Sequence, residues 1–137
     1  MEAVSALIAD DEAAADLLLD KLRERDGQVG LLLRMLRRRP EIFVPHVMQS
    51  TRLYHAPKAI DPKTAEFAAI AAAAALMCDH CLDAHMRAAR RKGATLDEIL
   101  DTLLIAGAIA ESSTLAVAFR RFRQLEGNDA GGGEGDL

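Results

Sequence analysis

From Lys63 to Lys92 the chain carries neither a glycine nor a proline, and the part from Ala65 to Ala75 is almost entirely alanine. Alanine enters a helix more readily than any other residue, whereas strands favour aromatic and β-branched side chains. Half of the 137 residues are apolar and only 4% are aromatic, so the same preference holds along the whole chain. The expected fold class is all-α, a bundle of about six or seven helices. A chain of this length suits one domain, large enough to bury roughly two-thirds of the surface exposed when unfolded. That domain is expected over residues 1–126, and the glycine-rich stretch 127–137 reads as a disordered tail.

Helix signals divide the chain. A first helix is expected over about Val4 to Arg25, with Leu7, Ile8, Leu18, Leu19 and Leu22 facing inward and Asp26-Gly27 stopping it. A short second helix covers Gly30 to Arg38, and a third runs from about Pro45 to His55. Asp61-Pro62 offers an N-cap followed by proline at the first helical position, where a missing N–H costs nothing. Lys92-Gly93 resembles a glycine C-cap, and Thr95-Leu-Asp-Glu98 is a capping box. One more helix is expected from Thr95 to about Ala110, and a last one from Ser112 or Ser113 to Leu125.

Charge and hydropathy exclude several partners. A net charge of −4 argues against a nucleic-acid surface, which needs an excess of Lys and Arg. The basic cluster Arg37-Arg38-Arg39 reads as a solvated helix end. The apolar run Phe67 to Met77 is too short to cross a bilayer, and no membrane is expected. Glu2, Asp10 and Asp11 stand where a secretory signal would carry basic residues, so the cytoplasm is the expected location.

In a reducing compartment a vicinal cysteine pair is more often catalytic or metal-binding than structural. The chain has two cysteines, both in Cys78-Asp-His-Cys81, with His85 four residues on and Glu66 twelve residues before. On a helix Cys78, Cys81 and His85 share one face. A CxxC near a helix N-terminus favours thiolate over thiol, and a nearby imidazolium strengthens the effect. The two sulfurs can also close a disulfide across one turn. Glu66 is harder to place, since twelve residues of unbroken helix would hold it about 18 Å from Cys78. If the chain instead breaks near Leu76 to Cys78 and folds back, Glu66 sits closest to His85, and a Glu–His–Cys relay becomes possible. Propensity alone favours one long helix.

Glu66-x11-Cys78-x2-Cys81-x3-His85, with His80 inside the CxxC, resembles the active-site signature of the alkyl hydroperoxide reductase D-type (AhpD-like) proteins of the carboxymuconolactone decarboxylase superfamily. The resemblance extends from Asp61-Pro62-Lys63-Thr64 to Ala106-Gly107, and more loosely back to residue 20. It implies an all-helical protomer assembling into trimers or hexamers, a helix break before the CxxC, and peroxidase or disulfide-exchange activity without a cofactor. By position, Cys81 is then the sulfur that attacks peroxide, Cys78 the resolving partner, Glu66 and His85 the proton relay, and His80 an auxiliary polar group. The implied partners are a small peroxide or disulfide substrate and a dithiol electron donor of thioredoxin-like or lipoyl type. Where the family's loop often carries a glycine, this chain has Leu76-Met77.

Plainer readings stand beside this one. Free cysteines are often buried small hydrophobes, and Cys78, Cys81 and His80 or His85 are acceptable zinc ligands. Glu66 suits the first turns of a helix for its charge alone. His85 could be a core or solvated histidine, and His46 and His55 lie outside any motif. A noncatalytic redox- or zinc-responsive binding protein is therefore the rival expectation. A third is a decarboxylase in which the thiols are incidental.

Overall fold

The computed structural model describes residues 11–131. Among these residues there are six helices and no strand: α1 Asp11–Asp26, α2 Leu31–Leu36, α3 Pro40–His55, α4 Pro62–Ala75, α5 Asp79–Arg91 and α6 Leu96–Gly131. The expected start of the first helix, with Leu7 and Ile8, lies outside the described residues. The chain separates into two compact units, residues 1–65 and 66–137, with the boundary one turn into α4.

In the first unit α1 packs on α3. Ala15, Leu18, Leu19 and Leu22 recur at helical spacing, and Ala15 and Leu22 are buried with Phe43, Val44 and Val47 while Leu18 and Leu19 pack at the margin. Gly27, at φ +79°, ends α1 by donating its N–H to the Arg23 carbonyl at 2.8 Å. That left-handed position is one a side chain would resist. The third helix begins at Pro40, five residues before the expected Pro45, because Pro40 already occupies the first turn and the Arg39 carbonyl accepts from Ile42 and Phe43. Pro45 therefore lies inside α3, where a proline costs about 3 kcal/mol. Burial of Phe43, Val44 and Val47, at about 1.5–3 kcal/mol each, offsets it. Arg37 is not a solvated helix end: it reaches back to Glu12 at 2.7 Å and Asp16 at 2.6 Å, both on α1.

Asp61 caps α4 as its sequence position implied. Its carboxylate accepts from the Thr64 N–H at 3.0 Å and the Thr64 hydroxyl at 2.6 Å. The Thr64 hydroxyl first, then its N–H, hold the Asp61 carboxyl below its ordinary value.

In the second unit Ile70, Ala89, Ala94 and Ile99 form the core, with Phe67, Leu82, Met86 and Leu103 packed against them. The capping box forms reciprocally: Thr95 N–H donates to the Glu98 carboxylate at 2.7 Å, and Glu98 N–H donates to the Thr95 hydroxyl at 3.1 Å. Ala94 and Ile99, on either side of the cap, are buried together as a staple. From there α6 runs on without the break expected after Ala110, and it passes Glu126 to reach Gly131. Within it the Thr114 hydroxyl donates to the Ala110 carbonyl oxygen at 2.9 Å, a bond inside the helix. Residues 132–137 of the expected tail lie outside the described residues.

Beyond its first turns α6 is apolar and open, with Leu104, Ile105, Ile109, Phe119 and Phe122 each more than half exposed. By length and composition alone its 96–129 stretch would suffice to cross a bilayer.

Candidate active site at the helix reversal

The break that propensity did not force occurs at residues 76–78. The Cys78 N–H reaches back to the Ala73 carbonyl at 2.9 Å and the Met77 N–H to the Ala74 carbonyl at 3.1 Å. This pair of bonds is the Schellman closure, which requires a left-handed residue at its penultimate position. Here that residue is Met77, at φ +54°, the one non-glycine residue with positive φ among those described. The same closure ends α5, where Gly93 at φ +87° donates to the Arg90 carbonyl and Ala94 to that of Ala89. Glycine fits the position without strain, whereas a methionine there costs about 1–2 kcal/mol.

The reversal places Cys78 at the N-cap of α5 and Cys81 in its first turn. The two sulfurs are joined in a disulfide, with Cα atoms 5.3 Å apart. His80 lies over the bridge, its Nε2 at 3.5 Å from Cys81 Sγ and 3.7 Å from Cys78 Sγ. Ligand atoms of Cys78, His80 and Cys81 lie within 4.8 Å of one another, so these residues could hold a soft cation once the disulfide is opened.

Among the described residues Glu66 is the one buried charged residue, 1% exposed. With the chain folded back it meets α5: His85 Nδ1 is 2.8 Å from Glu66 Oε2, and Lys92 Nζ donates to Oε1. Burial pushes the Glu66 carboxyl up, but the hydrogen bonds from His85 and then Lys92, with their charges, outweigh it. The net effect holds the carboxyl below its ordinary 4.5. A Glu66 carboxylate accepting at Oε2 requires the proton on His85 Nδ1, so Nε2 is the ring nitrogen that can take up a further proton. Cys81 and His85 stand one turn apart on α5, where side chains are neighbours.

Of the residues in the sequence motif, the structure joins Glu66 to His85 and clusters Cys78, His80 and Cys81, with Cys81 and His85 one turn apart on α5. Sequence reasoning had treated Lys92 only as part of a C-cap. A signal existed, since a fully buried carboxylate needs a compensating cation, and Lys92 lies seven residues, two helical turns, past His85 on the same face.

Comparisons with known proteins bear on the family and the fold. The profile of the carboxymuconolactone decarboxylase family matches residues 45–124. The chain is 28% identical over 76 residues to "uncharacterized protein 4 in cox locus" of Paracoccus denitrificans, a match covering 56% of this chain and 68% of that protein. Its structure is similar to the crystal structure of the alkylhydroperoxidase AhpD core from Rhodospirillum rubrum, with a TM-score of 0.68, 27% identity, and coverage of 79% of this chain and 81% of the other. With a helical fold shared with that core and more than half its length matched by the family profile, the chain belongs to the carboxymuconolactone decarboxylase family, as an AhpD-like member.

Proposed function

We propose that this protein is a thiol-dependent oxidoreductase that reduces a small peroxide, or a disulfide, through the Cys78/Cys81 pair. The observation that carries this reading is the Glu66–His85 contact at 2.8 Å, one helical turn from a redox-closed cysteine pair at a helix N-terminus. A buried carboxylate holding an imidazole beside a thiol is an arrangement for moving protons during sulfur chemistry.

The cycle starts from the dithiol. His85, held by Glu66, takes the Cys81 proton, and the thiolate attacks the distal peroxide oxygen, breaking the O–O bond. Cys81 becomes a sulfenic acid, and the alkoxide leaves as an alcohol with the proton returned through His85. Cys78 then attacks the Cys81 sulfur, water departs and the disulfide closes. A dithiol donor of thioredoxin-like or lipoyl type reopens it by exchange. In sum, donor dithiol and peroxide give donor disulfide, alcohol and water. The helix N-terminus favours thiolate at these positions. The open apolar length of α6 supports assembly into a homo-oligomer, which the family resemblance suggests is a trimer or hexamer.

The test is consumption of cumene hydroperoxide coupled to dihydrolipoamide oxidation. Wild type is expected to turn over, and Cys81→Ser to lose turnover with helicity intact. Full activity in Cys81→Ser, or no reaction of the wild-type dithiol with either peroxide or a disulfide probe, would overturn the reading.

A further inference from the structure

Glu66 presents a problem that the relay alone does not solve. Its carboxylate is 1% exposed, and a single imidazole that must gain and lose a proton during the cycle cannot compensate it throughout. Each time His85 gave up its added proton, a buried negative charge would stand alone. A buried carboxyl without steady compensation rises toward protonation. A neutral Glu66 would lose its charge-assisted hold on His85 Nδ1.

The structure supplies a second, fixed cation. Lys92 Nζ donates to Oε1 while His85 holds Oε2, so the two oxygens of one carboxylate are divided between a permanent charge and a switching one. Lys92 is the C-cap residue of α5, the helix that carries Cys81 and His85 and has Cys78 as its N-cap, and its side chain is 17% exposed. We propose that Lys92 is a positioning residue of this site: its ammonium keeps Glu66 ionised through every stage of the cycle, so that Oε2 fixes the His85 ring whether or not that ring carries an extra proton. This deepens, and rests on, the reading of the site as a thiol oxidoreductase.

The surroundings leave this task to Lys92. The side chains that hydrogen-bond the Glu66 carboxylate are those of His85 and Lys92, whereas Cys78, His80 and Cys81 contact one another. On α4, Lys63 precedes Glu66 by one turn. From α6 come Ile99 and Leu103, both apolar, while the Glu98 carboxylate is held on the Thr95 N–H.

Lys92→Met keeps the length of the side chain and removes its charge, and Lys92→Arg keeps the charge. Two readouts follow: the pH dependence of peroxide turnover, and the titration of the Glu66 carboxyl carbon by NMR in the full chain. In Lys92→Met the Glu66 titration is expected to move up by about one pH unit or more, and the acid limb of the rate profile to move up with it. Lys92→Arg is expected to restore the wild-type limb. A Lys92→Met protein whose rate falls equally at every pH, with the Glu66 titration in its wild-type place, would overturn the proposal by showing a packing role only. If wild type lacks turnover, the redox reading fails, and the Glu66 titration still decides the role of Lys92.

Discussion

Replacing Met77 with glycine should stabilise the protein although it removes a large side chain. Met77 sits at φ +54° and is 90% exposed, so the deletion forfeits almost no burial. A non-glycine residue in the left-handed region costs about 1–2 kcal/mol, which glycine avoids. Glycine gives back about 0.5–1 kcal/mol through its greater freedom in the unfolded chain. The net gain is about 0.5–1 kcal/mol, or about 2–5 °C in Tm for a chain of this size. Met77→Ala is the control, because it trims the same side chain while keeping the strained backbone, and it should be close to neutral. Urea unfolding of the disulfide-closed forms at one protein concentration measures all three, since any assembly makes the midpoint concentration-dependent. A glycine variant no more stable than the alanine variant would refute a left-handed Met77, and with it the reason given for the reversal.

Further expectations concern the buried charge and the caps. The Glu66 carboxyl is held below its ordinary 4.5, so its stabilising contribution is complete above that value and is lost as pH falls through the lower, folded one. The gap in urea midpoint between wild type and Glu66→Gln should therefore narrow from pH 6 to pH 3, and a constant or widening gap would contradict the pairing. Thr95→Ala removes one half of the reciprocal cap of α6 and should cost about 1 kcal/mol in the same assay. A loss below a few tenths would show that the cap contributes little.

What the sequence revealed and what it hid have physical reasons. Asp26-Gly27, Asp61-Pro62, Lys92-Gly93 and Thr95-x-x-Glu98 each act through backbone groups a few residues away, and each forms at its expected place. The start of α3 was misplaced because two prolines, Pro40 and Pro45, compete for the same first-turn preference, and only the packing of Phe43 selects the earlier one. Ser112-Ser113 reads as a cap because hydroxyls compete with the backbone, but α6 runs through both residues. The reversal at Met77 was invisible to propensity. Nothing in Leu76-Met77 breaks a helix, and the break is held by non-local contacts, Ile70 against Ala89 and Glu66 against His85 and Lys92. For the same reason the Glu66–His85 contact could be stated only as conditional on a fold-back, and Lys92 lay beyond the reach of the motif.

The most direct measurement is the single-turnover closure of the Cys78–Cys81 disulfide when prereduced protein meets peroxide at neutral pH, in wild type and Glu66→Gln. Proton relay by a positioned pair contributes about 10²–10⁴-fold, so the glutamine variant should close at least about 100-fold more slowly while its helicity is unchanged. Closure at the wild-type rate in a folded Glu66→Gln protein would contradict the claim that this buried carboxylate drives the sulfur chemistry through His85.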